Sequence, residues 1–349
     1  MPALRNTHFV RSVAFTPSRL AFAVLSCALV ALACFALAVL FGEQKLDLAQ
    51  VGVAGSPDET IFFRVRLPRV VRAALVGLAL AAAGAALQSL LRNPLADPFV
   101  LGVSGGAALG ATIALALGIG RFALAPAVSG TTVLALAGAL GATALVLSVG
   151  RLAGGDPSNT TLLAGVIFNA FALAAITFIK ALVAPDRLGE ILFWLAGSLG
   201  QEQAGTLAST ALVVGACVVV LVAASGRLNL LTLGDEDAQS LGVDARRTRL
   251  LVLVVASAAV SVVVSLAGLI GFVGLLVPHL ARLLFGHDQR LVLPTSALLG
   301  AAFLMLADLV ARSLFSVFHT EPPVGVITAL LGGPVFLALM VRARRSQRA

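Results

Sequence analysis

Long apolar stretches that contain no charged residue dominate the chain, and polar residues fall mostly between them. These runs cover residues 20–41, 73–91, 98–120, 122–150, 157–179, 203–226, 250–278 and 322–341. A bilayer core about 30 Å thick is crossed by about 20 helical residues, so runs of this length can span it. Backbone amides in lipid must be paired within the protein, which leaves helices or a closed barrel. Barrel strands would be shorter and would alternate apolar with polar residues, so the pattern predicts helices.

Ten helices account for the pattern, and the fold class is predicted to be an all-α polytopic membrane protein. The predicted spans are 20–41, 68–91, 98–117, 124–149, 159–184, 204–225, 246–269, 274–286, 291–314 and 323–341. No gap between spans is long enough for a soluble domain. Residues 1–349 are therefore predicted to form a single transmembrane domain.

The eighth span is the shortest, and small or helix-breaking residues interrupt the apolar run that leads into it. Glycine weakens a helix and proline removes a backbone donor, so we predict a bent or partial helix here. The candidate gate or packing residues in this region are Gly268, Gly271, Gly274 and Pro278.

Composition and charge agree with a membrane location. The chain is 59% hydrophobic and 11% charged, whereas soluble domains carry roughly 25% charged residues. Placing the N-terminus inside puts most arginines in inner segments, as the usual orientation bias requires. Both termini are then predicted to be cytoplasmic. The net charge of +8 lies largely in short segments beside the helices, so it does not indicate a nucleic-acid partner.

The sequence lacks the motifs of an enzyme active site. A nucleotide-binding P-loop needs a lysine after a glycine, and neither Lys45 nor Lys180 follows one. The four histidines show no metal-site spacing, and His279 and His319 are interpreted as packing or surface residues rather than haem ligands. We therefore predict no catalytic residue, no metal site and no cofactor in this chain.

Four arginines between residues 64 and 72 break the orientation rule, because this segment falls on the outer side. Arg66 and Arg69, on either side of Pro68, are the candidate docking residues for an acidic partner, since arginine forms bidentate pairs with carboxylates. Binding of lipid headgroups is the alternative interpretation. A protein partner outside the membrane is the favoured one.

Asp308 and Arg312 form the most prominent pair of ionisable residues inside a predicted span. They are four residues apart, share a helix face and can pair. The pair is either purely structural, or Arg312 joins the outer arginines as a docking residue. Proton- or sodium-coupled carriers normally contain more acids near the membrane midplane, so their scarcity argues against ion-coupled secondary transport.

An acidic inner segment is the second candidate contact site. It comprises Gly234, Asp235, Glu236, Asp237, Ala238, Gln239, Ser240, Leu241 and Gly242. Acids at its start suit the dipole of a short helix, and Gly242 is predicted to end that helix. The segment is either a solvated turn or a short helix on the inner surface, presented to a cytoplasmic partner.

Together these segments resemble the permease subunit of the FecCD-type ABC importers, which carry iron-siderophores, haem or cobalamin. The matching stretches are RLPR at 66–69, GAALQSLLRNPLADPFVLGVSGGAALGA at 84–111, LGDEDAQSLGV at 233–243, GLIGFVGLLVPHLARLL at 268–284 and PPVGVITALLGGPVF at 322–336. The resemblance covers nearly the whole chain. One departure is Glu321-Pro322-Pro323, where the family usually has an acidic residue followed by leucine and proline.

The resemblance implies a ten-helix subunit that forms a homodimer in the bacterial inner membrane, with the translocation path at the dimer interface. It implies two cytoplasmic ATP-binding subunits, which bind the ATP and Mg, and a periplasmic substrate-binding protein with acidic docking residues. It assigns docking to Arg66, Arg69 and Arg312, and ATPase contact to residues 234–243. The fifth, eighth and tenth spans are the predicted path and gate.

The cargo stays open among haem, ferric siderophore and corrinoid. Two other classes of function are kept as alternatives. An ion-coupled secondary transporter would move its substrate without an ATPase, and a membrane scaffold would contain no solvent-accessible path.

Overall fold

The computed structural model describes residues 15–346, apart from residues 43, 45, 48, 100–101, 120–122, 126–127, 153–156 and 201–203. In this part of the chain the structure is helical except for one short antiparallel hairpin. The hairpin strands are β1, Ala123–Ala125, and β2, Val128–Ser129.

Fifteen α-helices are described, and one π-helical segment, Ile61–Arg66, joins two of them. The α-helices are α1 Pro17–Leu40, α2 Pro57–Thr60, α3 Leu67–Leu90, α4 Val103–Ala116, α5 Gly130–Leu152, α6 Pro157–Leu182, α7 Pro185–Leu195, α8 Ala204–Ala223, α9 Ser225–Leu233, α10 Asp235–Ser240, α11 Ala245–Ala267, α12 Val273–Phe285, α13 Gln289–Ser313, α14 Phe315–Phe318 and α15 Val324–Ser346.

The described residues include six helices that are long and apolar enough to cross a bilayer. They are α1, the continuous helix Pro57–Leu90, α5, α6, α11 and the helix Gln289–Phe318. Helices α8 and α9 meet at an angle of 46° and make a seventh span if they are counted together. The prediction of an all-helical membrane fold is confirmed. The count of ten stays a prediction, because it assigns one span each to the shorter helices α4, α12 and α15.

The second predicted span begins earlier than the sequence suggested. Helical backbone starts at Pro57 and continues through the π-helical segment into α3. The amide of Leu67 donates to the carbonyl of Phe62, five residues back. This wider turn falls directly before Pro68, whose ring would clash with the preceding turn of a regular α-helix. The arginines of this region therefore lie on one continuous helix.

Five described helices lie outside or almost entirely outside the predicted spans, and the two longest of them are α7 and α9. Helix α7 contains Asp186, Arg187 and Glu190 within eleven residues, so a search for uncharged apolar runs passes over it. Helix α9 follows the bend after α8 and contains Arg227 and Asn229. Both are short, and their polar residues hide them from a search by apolar length.

Helix α3 lies at the centre of the fold, packed against α11, α12 and α13. Nearly all of its residues from Val76 to Leu90 are buried. A Cβ atom added at Gly77 would lie 2.1 Å from the carbonyl oxygen of Gly300 in α13. Small residues thus allow the two backbones to touch, as is common between membrane helices. The position of α3 lets it connect the two ends of the molecule.

Candidate functional sites at the two ends of helix α3

Two clusters of charged side chains lie at opposite ends of α3, which is roughly 36 Å long at 1.5 Å per residue. The Asp308 cluster contains Arg66, Arg69, Asp308, Arg312 and Glu321. The Asp235 cluster contains Arg92, Asp235 and Arg249.

Asp308 is completely buried in α13 and bridges two arginines. One carboxylate oxygen accepts a hydrogen bond from Nε of Arg69 in α3, and the other accepts one from Nε of Arg312, both at 2.9 Å. Arg69 also donates through Nη1 to Glu321 at 2.8 Å. The predicted Asp308–Arg312 pair is therefore confirmed. The interpretation that it joins the outer arginines is supported by the contact to Arg69.

The other two predicted docking arginines hold the end of α1. Arg66 donates to the carbonyls of Val39 and Leu40 at 3.2 and 2.9 Å, and also to that of Gln44. Arg312 donates to the carbonyl of Ala38 at 2.8 Å. The last carbonyls of a helix have no intrahelical partner and carry partial negative charge, so buried arginines are stabilised here.

A cavity of about 260 Å³ connects these residues. Its lining includes all three predicted docking arginines, Arg66, Arg69 and Arg312, together with Glu321 and Gln44. The structure therefore brings into one concave site arginines that lie up to 246 positions apart in sequence, Arg66 and Arg312. Such a site is large enough to admit a carboxylate side chain.

The four arginines of residues 64–72 do not share one surface. Arg64 is exposed and lies outside the cavity, whereas Arg72 is buried and donates to the carbonyl of Gly200 at 2.5 Å. Helical geometry explains the separation, because Arg64 and Arg66, two residues apart, point to nearly opposite sides of the axis, and Arg72 lies about one turn further along α3 than Arg69. Of the four, Arg66 and Arg69, the two predicted docking residues, line the cavity.

The Asp235 cluster lies at the other end of α3 and is half-exposed. One oxygen of Asp235 accepts hydrogen bonds from Arg92, two residues after the end of α3, at 2.9 Å and from Arg249 in α11 at 2.6 Å. Arg92 also donates through Nε to the carbonyl of Leu231 in α9. The first residue of α10 is thus connected to three neighbouring elements.

The acidic inner segment forms the predicted short helix rather than an irregular turn. Ala238 is buried, while Glu236, Asp237, Gln239, Ser240 and Leu241 are at least partly exposed. Gly242 follows the helix with φ of 84°, a backbone conformation that glycine adopts without strain. Its position agrees with the predicted stop. The exposed ridge leaves α10 available for contact.

The four predicted gate or packing residues lie between α11 and α12 or within α12. A Cβ atom at Gly268, where φ is 69°, would lie 2.0 Å from the carbonyl oxygen of Trp194, so this turn needs glycine. Gly274 packs against α3, Gly271 faces open space, and Pro278 lies inside α12. The predicted partial helix is confirmed as the 13-residue α12.

Two further cavities adjoin each other beside α12. One, of about 520 Å³, is lined by α4 and α6 and contains the polar side chains of Ser104, Asn169 and Lys180. The other, of about 600 Å³, is lined by Phe272 and by α15. Both are lined by Phe99, Leu195 and Leu269. Helix α6 corresponds to the fifth predicted span and α15 to the tenth, whereas the eighth is represented only by Gly271 and Phe272, which directly precede α12.

Sequence reasoning missed Arg92, Arg249 and Glu321. Arg92 and Glu321 pair with residues 143 and 252 positions away, so no local spacing could reveal their contacts. Arg249 is 14 residues from Asp235, on a different helix. Within the described part of the chain, no group of three or more histidine, cysteine, aspartate or glutamate residues could hold a metal ion.

An apolar helical fold, charged clusters at two ends and cavities along its length define a multi-pass membrane permease. Residues 29–342 match the FecCD transport family, and the chain belongs to that family of ABC transporter permeases.

Relatives and a solved structure agree with this assignment. The cobalamin import system permease protein BtuC of Halobacterium salinarum is 44% identical over 82% of this chain and 75% of its own length. The hemin transport system permease protein HmuU of Yersinia pestis is 41% identical over 82% of this chain and 85% of its own length. A structure described as an inward-facing conformation of a metal-chelate type ABC transporter is 31% identical, with a TM-score of 0.81, over 91% of this chain and 98% of that one.

Proposed function

We propose that this chain is the permease subunit of a binding-protein-dependent ABC importer that moves a bulky metal chelate across the bacterial inner membrane. The observation that carries the proposal is the pairing of an arginine-lined cavity at one end of α3 with an exposed acidic helix at the other. The first suits delivery of cargo by an acidic partner. The second suits contact with a separate ATPase.

The proposed assembly contains two copies of this chain, each with one domain, ten spans and cytoplasmic termini. The path between them is formed by α6, α12 and α15. This choice is supported by the lining of one cavity by α6 and of the other by α15 and by Phe272, directly before α12. Their linings are mostly apolar, which suits a large chelate held weakly enough to be released.

In this proposal the energy comes from two cytoplasmic ATP-binding subunits, which hold ATP and Mg²⁺. They contact residues 234–242, so that ATP binding and hydrolysis move α10. The permease then alternates between states open to either side of the membrane. Such an equilibrium shifts only if the partner binds one state more tightly than the other.

Uptake into vesicles tests the proposal directly. The complex of permease, ATPase subunits and binding protein should accumulate chelate only when ATP is supplied on the ATPase side. Uptake that persists without ATP but follows an ion gradient would contradict the importer and favour a secondary transporter. Absence of any flux under both conditions would favour a scaffold.

The cargo is proposed only as a class, since the named relatives carry different compounds. Binding of haem, a ferric siderophore and a corrinoid to the cognate binding protein separates the three possibilities. Saturable binding of one compound, with no measurable binding of the others, would identify the cargo. Binding of none would contradict the chelate proposal.

Docking through the Asp308 cluster has its own test, the variant Arg69→Gln. Arg69 lines the cavity and already holds a carboxylate, that of Glu321, so an incoming acid can take the same site. The variant should weaken association of the binding protein about tenfold, because it removes a charged hydrogen bond at the proposed interface.

Arg64→Gln is the matched control for this docking prediction, because Arg64 lies on the same helical segment but outside the cavity. Association should change little in this variant. If both variants weaken association equally, the arginines act through diffuse charge rather than through the cavity. Raised salt should weaken docking of the unmodified protein, since exposed charges are screened.

A further inference from the structure

Helix α12 contains a gap in its hydrogen-bonding pattern. Pro278 lies inside it and has no N–H group. The carbonyl of Gly274, four residues earlier, therefore lacks the donor that a regular α-helix would supply. A buried carbonyl without a partner costs about 1–3 kcal/mol, so the surrounding structure has to supply one.

Gln88 of α3 supplies the missing donor. Its side chain is 3% exposed, and Nε2 donates to the carbonyl of Gly274 at 3.0 Å and more weakly to that of Leu275 at 3.4 Å. Its Oε1 accepts from Nη1 of Arg282 at 2.5 Å. The carbonyls can only accept and the guanidinium can only donate, so one amide orientation satisfies all partners.

The same side chain thus contacts α12 on both sides of Pro278. Gly274 and Leu275 precede the proline, and Arg282 follows it by one turn. A Cβ atom added at Gly84 would lie 2.0 Å from the carbonyl oxygen of Gly274, so the two backbones are in direct contact here. Gln88 therefore fixes the two halves of α12 against α3.

Contacts continue from Gln88 in two directions, toward α10 and toward the cavity lined by Phe272. Arg92 lies four residues further along the chain and pairs with Asp235 of α10. Directly before α12, Phe272 lines the cavity of about 600 Å³ and contacts α15, since a Cβ atom at Gly332 would lie 2.5 Å from that of Phe272. A continuous chain of contacts runs from α10 through α3 and α12 to α15.

We propose that Gln88 is a positioning residue that transmits movement of α10 to helix α12 and so to the cavity beside Phe272. This inference rests on the proposed transport function and adds the element that connects its two ends. Movement of the inner end of α3 reaches both halves of α12 through one amide.

A double-mutant cycle with Gln88→Met and Pro278→Ala tests the hydrogen bond. Methionine keeps the size of the side chain but has no amide. Alanine at 278 restores an N–H that can donate to Gly274, so the amide of Gln88 becomes partly redundant. In detergent, Q88M should lower the Tm by about 2–4 °C, and by at most about half as much in the P278A background.

Ser89→Ala is the matched control, because Ser89 is also buried in α3 and no hydrogen-bond partner is found for its hydroxyl in the described part of the chain. Its effect on the Tm should be the same with proline or alanine at position 278. Equal losses from Q88M in both backgrounds would overturn the Gln88 bridge.

Transport measurements test the coupling role. In vesicles that contain the full complex, Q88M should lower ATP-driven chelate uptake about tenfold, while the ATPase rate falls by less than about twofold. A purely structural role would lower both rates in parallel, and such a parallel loss would overturn the inference. Unchanged uptake would overturn it as well.

Failure of this inference is distinguishable from failure of the proposed function. If the unmodified complex shows no ATP-driven uptake, the proposed function is contradicted. If the unmodified complex transports normally but Q88M lowers the Tm equally with proline or alanine at position 278, only the role of Gln88 is contradicted.

Discussion

The two charged clusters at the ends of α3 use the same chemistry in different surroundings. In each, one carboxylate accepts hydrogen bonds from two arginines. Asp308 is 0% exposed, whereas the side chain of Asp235 is 39% exposed. Burial makes the first cluster a fixed structural element. Contact with water leaves the second able to exchange partners at low cost.

Access of water explains why breaking the two clusters should cost different amounts of free energy. Removal of one partner from a buried ion pair leaves an unpaired charge where water cannot compensate for it. At a half-exposed site water replaces the lost partner, and such pairs contribute about 0–1 kcal/mol. A docking site benefits from a rigid arrangement, while a coupling site has to move. The difference in burial agrees with the docking and coupling roles proposed for the two clusters.

Asp308→Asn should have the largest effect. The variant keeps the shape of the side chain but removes the negative charge between Arg69 and Arg312. The free energy of unfolding should fall by about 3–5 kcal/mol, as for other broken buried ion pairs. Chemical unfolding of the purified protein in detergent measures this change.

Asp186→Asn is the control for that prediction, because Asp186 is an exposed carboxylate at the start of α7. It should lower stability by less than about 1 kcal/mol. If the two variants lose similar amounts, Asp308 is better solvated than its burial indicates. The comparison between the clusters would then lose its physical basis.

The Asp308–Arg312 pair shows what a sequence can reveal. A spacing of four on an apolar helix predicts contact, because both residues lie on one face. The same reasoning places a short helix at residues 235–240, from its acidic start and glycine stop. Local patterns of this kind need no knowledge of the rest of the fold.

Contacts between residues far apart in sequence could not be predicted in this way. Arg69 and Asp308 are 239 positions apart, and the contact depends on how α3 and α13 pack. Burial of Arg66 on the carbonyls of α1 was equally unpredictable, since a cluster of arginines looks the same whether it faces a helix end or solvent. Gln88 lies in an apolar run, and only the gap made by Pro278 explains it.

Asp97→Asn should have an intermediate effect on stability. It tests how much the paired arginines matter for a buried carboxyl, by comparison with Asp308. Asp97 is 5% exposed in the turn between α3 and α4, and accepts a hydrogen bond from the amide of Phe99 at 2.9 Å. Burial raises the pKa of its carboxyl to about 6, and the Phe99 hydrogen bond lowers it in part. The surroundings of Asp97 thus differ from those of Asp308, which two arginines hold.

The sign of the pH effect follows from this raised pKa. The folded state holds the proton more tightly than the unfolded state, so this carboxyl stabilises the fold most below about pH 4 and loses that contribution as pH rises toward 6. Above about pH 6 the ionised carboxyl costs about 2–3 kcal/mol, and the asparagine variant avoids this cost while its side-chain oxygen still accepts from Phe99. Unfolding at pH 5 and pH 8 should show that D97N gains on the original protein at the higher pH. If the stability of D97N and of the original protein changed equally between pH 5 and pH 8, the prediction would be contradicted.

Asp235→Asn should have the smallest effect on stability and a clear effect on coupling. Water can replace the lost charge at a half-exposed site, so the free energy of unfolding should fall by no more than about 1 kcal/mol. Arg92 and Arg249 then hold α10 less firmly. Uptake per ATP hydrolysed should therefore fall, and the measurement is the ratio of chelate transported to phosphate released in vesicles.

Glu236→Gln, on the next residue of α10, is the control for a simple loss of charge. An equal fall in both variants would mean that the charge of α10 matters and its attachment to α3 does not.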